Sequence, residues 1–220
     1  MITANVIHRV FRISYATKSG TTFSLDVDGK QYLVTAKHVV PDLAGSSKIS
    51  LWSNGAWKEY PVQLVGHAPG DIDVSVLAID RLVTNKGLPL EAGDRFIYGQ
   101  DSYFLGFPYG IMPKYIFGAD GFPLPFVKKA LVSSFNPDTM LLDGHNNPGF
   151  SGGPVVFMEA ESRQLRVAGV VSGFRFVEEP VLMNGQKTGL TYEYNTGIVV
   201  AHRIHHALAL IKANPIGCTL

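Results

Sequence analysis

The chain has 220 residues, 46% of them hydrophobic and 11% aromatic, enough to bury the core of one domain built of two lobes. Nineteen Lys and Arg against eighteen Asp and Glu leave a net charge of +1, so no basic field is available to attract nucleic acid or an anionic membrane, and neither is an expected partner. The single cysteine, Cys218, cannot close an internal disulfide, which leaves cohesion to packing.

In chain order, Met1 to Tyr15 mixes His8, Arg9 and Arg12 among apolar positions. It has no unbroken apolar run before a small-residue cleavage site, so no signal peptide is expected. No window approaches the roughly 18–20 apolar residues that span a bilayer, and the expected location is cytoplasmic. Short runs rich in Val, Ile, Tyr and Phe then alternate with Gly, Pro, Asn and Asp, the pattern of antiparallel β-barrels. Strands are predicted near 6–14, 31–36, 48–52, 59–66, 74–79, 128–135, 139–142, 154–158, 165–173 and 192–200, with an Asp28-Gly29 turn ahead of the second of these. The stretch 107–126 carries Phe107, Tyr109, Ile111, Met112, Phe122 and Phe126 among glycines and prolines. Such a stretch should not stand bare in water: it either folds back on its own barrel or forms a regulatory or oligomer-forming loop. Val200 to Ala213 reads as a helix with Ile204, Leu208 and Ile211 on one stripe, ended near Asn214-Pro215. His202, His205 and His206 lie on that segment, but no carboxylate or cysteine nearby in sequence completes a metal set. Neither a metal nor a cofactor is expected.

Gly149-Phe150-Ser151-Gly152-Gly153-Pro154 sets a hydroxyl among glycines, where backbone amides can converge to stabilise the oxyanion of an acyl transfer. A serine needs a base and a group that orients the base. Upstream, the apolar run Tyr32 to Val40 carries His38 near its end, and Asp71-Ile72-Asp73-Val74-Ser75-Val76-Leu77 supplies an acid. Asp73, which directly precedes the apolar strand, is favoured over Asp71.

The motifs resemble those of the trypsin-like (chymotrypsin-fold) serine peptidases. Thr35-Ala36-Lys37-His38-Val39 is similar to their histidine motif, Asp73-Val74-Ser75-Val76-Leu77 to their acid motif, and Gly149 to Pro154 to their nucleophile motif. The resemblance runs from about Ser19 to Pro215. Gly20-Thr21-Thr22-Phe23, Leu105-Gly106-Phe107-Pro108 and Asn195-Thr196-Gly197-Ile198 are closest in cadence to the HtrA/Deg branch, which usually adds a peptide-binding module that this sequence is too short to hold.

The resemblance implies an all-β fold of two antiparallel six-stranded β-barrels and a C-terminal helix, in a single peptidase domain over 1–220. A first lobe, about 1–98, would carry His38 and Asp73; a second, about 99–200, would carry Ser151; the helix would follow. It further implies a serine endopeptidase acting on extended segments of a protein or peptide substrate through an acyl-enzyme. His38 is then the base, Asp73 its orienter, Ser151 the nucleophile, and the N–H groups of Gly149 and Ser151 the oxyanion hole. For the residue preceding the scissile bond it places His145 at the pocket floor, with Val171 to Phe174 and Gly197 to Val199 as walls. Ser172, Gly173 and Phe174 offer a strand to the substrate. With no acid at the floor and Phe174 at the entrance, small or medium apolar residues are expected there. Phe150 departs from the family pattern, in which this position is acidic or small and polar. Its packing is expected to set the oxyanion loop, without activation by a freed N-terminus. The alternative is a protease-like scaffold that binds through the same cleft and turns over weakly or not at all.

Overall fold

A computed structural model describes residues 1–84, 89–112 and 121–220. After a single helical turn, α1 (Ala4–Ile7), six strands follow: β1 (Val10–Tyr15), β2 (Lys18–Val27), β3 (Lys30–Thr35), β4 (Ser46–Ser53), β5 (Ala56–His67) and β6 (Ser75–Ile79). They lie in the order β3-β2-β1-β4-β5-β6, and a β3–β6 pairing from Leu33↔Leu77 to Thr35↔Ser75 bends them into a ring. The next six, β7 (Asp101–Gly106), β8 (Phe126–Phe135), β9 (Thr139–Asp143), β10 (Pro154–Met158), β11 (Leu165–Met183) and β12 (Gln186–Arg203), close a barrel in the order β10-β11-β12-β9-β8-β7. Helix α2 (His205–Ala213) and a two-residue strand β13 (Cys218–Thr219), paired to the start of β3, complete the chain. The fold is the expected all-β pair of six-stranded units with a C-terminal helix. Among the described residues no helix is long and apolar enough to cross a membrane.

Local chemistry accounts for three of the tight hairpins. Asp28-Gly29, Asn54-Gly55 and Asn184-Gly185 each place two successive residues at positive φ, as a two-residue turn between right-twisted strands requires. One apolar cluster joins the two sheets: Phe23 and Val34 from the first meet Leu105, Val156 and Val170 from the second and Phe107 just after β7, together with Ile204, which caps α2, and Ile211 within it. Each sheet also encloses its own cluster, around Phe11, Leu33 and Leu77 in one and Phe104, Phe150 and Phe157 in the other. α2 lies over β5, where Leu210 fits against Gly66 and Asn214 Nδ2 donates to Val65 O at 3.2 Å. A buried ion pair, Arg9 Nη2 to Asp26 Oδ2 at 2.8 Å, ties β2 to the start of the chain, and Gln31 Nε2 donates to the second carboxylate oxygen at 3.1 Å.

Several predicted boundaries move. Residues 4–7 are helical, so the first strand begins at Val10. Residues 200–203 remain in β12, because Val200, Ala201 and His202 pair with β9, and the helix starts only at His205. Residues 174–191, which fall between two predicted strands, continue β11 and β12 as a hairpin that outruns the barrel. In the stretch 107–126, residues 113–120 lie outside the described residues. On its flanks Phe107 is buried, and Phe122 packs edge-on against Phe11 with centroids 4.7 Å apart.

Candidate active site

His38 sits in a single 3-10 turn that β3 enters directly. Ala36 and Val39 on either side are buried, which anchors the turn while the imidazole remains half exposed. Lys37 holds the turn against the loop before β6, its Nζ donating to Ala68 O at 3.0 Å and Gly70 O at 2.7 Å. Asp73 lies at the end of that loop. Its Oδ1 accepts the His38 backbone N–H at 2.9 Å and its Oδ2 accepts His38 Nδ1–H at 2.6 Å. The carboxylate therefore grips the residue at two points, and Nε2 is left facing outward. Oδ2 also accepts the Ser172 hydroxyl at 2.6 Å. Burial alone would raise the Asp73 pKa. The bonds and charge of His38, with the Ser172 hydroxyl, outweigh it and lower the value to about 2.

Ser151 follows a loop whose glycines are needed for space as well as angle. Gly149 has φ +105 and Gly152 φ +85. A Cβ on Gly149 would strike Phe107 O, and one on Gly152 would strike Thr21 O and Thr35 Oγ1. The loop is fastened to the opposite sheet by one residue of β2: Thr21 N–H donates to Ser151 O at 2.8 Å and Thr21 Oγ1 to Gly149 O at 2.7 Å. On the barrel side Gly152 N–H donates to Val171 O at 2.7 Å, and Val171 N–H returns a bond to Gly153 O at 2.9 Å. Among the described residues neither the Gly149 nor the Ser151 N–H has an acceptor, so both donors stand unspent on the nucleophile loop.

Phe150 is fully buried, packed edge-on against Phe104 with centroids 4.9 Å apart. Lys128 Nζ lies 5.5 Å from its ring centroid and donates to Asn147 Oδ1 at 2.7 Å. Neither Lys128 nor Lys37 stands out in sequence, since each bonds loop atoms brought near only by folding.

The Ser151 hydroxyl donates to Ser172 O at 3.1 Å; among the described residues it is not hydrogen-bonded to His38. Ser172 thus touches both ends of the constellation, Asp73 through its hydroxyl and Ser151 through its carbonyl. The resemblance offered Ser172 as main-chain surface for substrate, and its side-chain bond to the acid was not anticipated.

Of the pocket residues, Phe174 is half buried and paired with Val199. Gly197 turns at φ +77 and its carbonyl accepts Gly144 N–H at 2.8 Å. His145 is exposed. Its neighbour Asn146 is buried, with Nδ2 donating to Gly173 O at 2.9 Å and its carbonyl accepting Asn195 Nδ2 at 2.8 Å. Asp71 makes no hydrogen bond to His38 among the described residues. The fold also brings Asp138, from the β8–β9 turn, to His205 and His206, with one ligand atom from each within 4.8 Å of the others. The His206 Nε2 to Asp138 Oδ1 distance is 3.4 Å, without hydrogen-bond geometry. These three residues could hold a divalent ion, the carboxylate being supplied from 67 positions upstream of His205.

The model of the trypsin-like peptidase domain matches residues 20–162, more than half of the chain and the whole span from before the His38 turn to beyond Ser151. The chain belongs to the trypsin-like peptidase domain family. Among solved structures this trypsin-like domain is similar to the HtrA-type protease AlgW with tripeptide, at 23% identity and TM-score 0.60, covering 94% of this chain and 60% of that one. It is also similar to the Rv3671c protease in an inactive form, at 19% identity and TM-score 0.59, covering 96% and 91%. The trypsin-like domain thus spans three-fifths of the AlgW chain, and at such identities the likeness speaks for the fold.

Proposed function

We propose that this trypsin-like domain is a serine endopeptidase that cleaves extended protein segments, with Ser151 as nucleophile, His38 as general base and acid, Asp73 as orienter, and the Gly149 and Ser151 N–H groups as the oxyanion hole. The reading takes the chain as one peptidase domain, with base and orienter on the first lobe and nucleophile on the second. The observation that carries it is the double hydrogen bond from His38 to the Asp73 carboxylate. With Nδ1–H donating to Oδ2, the neutral ring must present Nε2 as its lone-pair nitrogen, the atom that accepts a serine proton. Rotation of the Ser151 hydroxyl from Ser172 O toward Nε2 readies attack, and apo sites commonly tighten such bonds only with substrate present. A substrate N–H placed on Ser172 O competes for the acceptor that holds the hydroxyl, so substrate binding itself favours the reactive rotamer.

Attack on the scissile carbonyl passes the serine proton to Nε2, and the oxyanion falls between the two free amides. Collapse hands that proton to the leaving amine, and a water repeats the sequence on the acyl-enzyme. A partly buried Asp73 held ionised well below neutral pH stabilises the transient imidazolium. The half-buried Phe174 and the absence of an acid at position 145 favour small or medium apolar residues before the cut. A fluorophosphonate probe tests the proposal: labelling of the purified chain that disappears in Ser151→Ala is the expected result, with turnover reduced on the order of 10^6. An unlabelled wild-type chain would leave a protease-like scaffold instead.

A further inference from the structure

The cleft has a second side that the catalytic residues leave unused. A cavity of about 180 Å3 opens beside the nucleophile loop, lined by Arg12, Ser19, Gly20, Tyr109, Pro148 and Gly149 among others. It shares Gly149 with the proposed oxyanion hole and no residue with β11. A substrate whose acyl half lies along Ser172 to Phe174 therefore passes its other half, the departing one, over this cavity.

Arg12 projects into it from β1. Its guanidinium carbon lies 4.9 Å from the Trp57 ring centroid and 5.5 Å from that of Trp52, two indoles that meet edge-to-face at 87°. Stacking of this kind fixes the plane of the fork and leaves its five N–H donors available. Among the described residues nothing accepts a hydrogen bond from Arg12, whereas Arg9, Arg81, Arg95 and Arg166 each reach a carboxylate. Partial burial lowers its pKa from the ordinary arginine value, the sign of a cation stripped of some water without a counter-charge in return. A half-buried guanidinium that no anion meets among the described residues is matched by a planar carboxylate, which accepts two parallel bonds from the fork.

We propose that Arg12 is a carboxylate-binding site on the leaving-group side of the scissile bond, giving the enzyme a preference for substrates with an acidic group shortly after the cut. The carboxylate is either an Asp or Glu side chain or the free C-terminus of a short departing fragment. The inference takes its place in the reaction from the endopeptidase reading, while carboxylate capture itself needs no turnover.

The chain has two tryptophans, and both flank Arg12, so intrinsic fluorescence reports on this site directly. Ser151→Ala protein is titrated with amidated peptides carrying Glu or Gln at the first, second or third position after the cleavage point, and with the Gln peptides bearing a free C-terminus. The expected result is a fluorescence change and about tenfold or tighter binding for a carboxylate at one of these positions. The amidated Glu arm identifies a side-chain source and the free-terminus arm a chain end. The advantage disappears in Ser151→Ala with Arg12→Gln and returns in part with Arg12→Lys, which also guards against a misfolded Gln variant. In wild-type protein the ratio of kcat/KM for the preferred acidic peptide over its Gln analogue follows the same order, falling to about one in Arg12→Gln. Equal binding of every Glu and Gln pair, or an advantage that survives Arg12→Gln with a normal melting profile, overturns the proposal. Discrimination in binding without cleavage by wild-type protein would sink the endopeptidase reading and leave this one standing.

Discussion

Asp73 takes three hydrogen bonds on two oxygens, two of them from His38, and this arrangement sets what its substitution does. In Asp73→Asn the amide presents either a carbonyl or an NH2 group to Nδ1. The NH2 orientation pushes the proton onto Nε2, where a base needs a lone pair. Turnover should fall roughly 10^4-fold while substrate KM changes little, which steady-state kinetics on a peptide resolves. The same carboxylate links stability to pH. Its folded pKa of about 2 lies below the ordinary aspartate value of 3.8, so it contributes stability that is fully present above the unfolded value and is lost as pH falls through the folded one. Chemical unfolding measured from pH 5 down to pH 2 should show a shallower loss of stability in Asp73→Asn than in wild type; parallel curves would contradict the coupling. His38 and Asp73 stand out in the sequence as candidates because each borders a short apolar run, and Ser151 because glycines surround it; the His38 to Asp73 contact is what the fold adds. The bonds of Ser172 and Lys37 do not stand out, because their partners, Asp73 for one and the Ala68 and Gly70 carbonyls for the other, become neighbours only when the loops close.

The β11–β12 hairpin shows where reading by element fell short. Its outer half contains Glu178-Glu179-Pro180 and a Thr188-Gly189 step, which break any alternation, so no strand is predicted there. The turn signal was present in Asn184-Gly185, the same Asn-Gly pair that joins β4 to β5, but with no buried face the flanking strands carry no period to match it. Helix α2 erred in the other direction. Its apolar stripe is real, yet pairing with β9 and β11 holds residues 200–203 extended, a tertiary override of local propensity. Leu182, Met183 and Leu190 on the hairpin are 58%, 69% and 66% exposed, so they support no core. Replacing all three by Ser should leave the unfolding free energy within about 0.5 kcal/mol per site and reduce light scattering in concentrated solution. A cooperative loss of several kcal/mol would mean that they pack on something.

At the level of the whole molecule, the two sheets meet at the nucleophile loop, and Gly152 leaves no room there for a side chain. A methyl group there meets Thr21 O and Thr35 Oγ1 from the first sheet at a backbone angle of φ +85, whereas Gly185, at φ +78, has nothing within 4 Å of the same added atom. Both substitutions to Ala carry the left-handed backbone penalty of about 1–2 kcal/mol, but only Gly152→Ala must also separate the sheets. Its total cost should exceed that of Gly185→Ala by about 2 kcal/mol or more in urea unfolding, and it should abolish fluorophosphonate labelling where Gly185→Ala does not. Sequence indicated that two units exist. It could not indicate that one threonine of β2 holds the other unit's reactive loop at two carbonyls.

That stitching by Thr21 gives the molecule an obligate partnership between its halves. A chain severed in the connection between β6 and β7 leaves the imidazole and its carboxylate on one fragment and the alcohol on the other, with the anchor for the alcohol's loop on the wrong piece. Neither fragment alone can shape a reactive centre. On the proposed function, hydrolysis would depend on reassociation, which makes this architecture a natural candidate for fragment complementation.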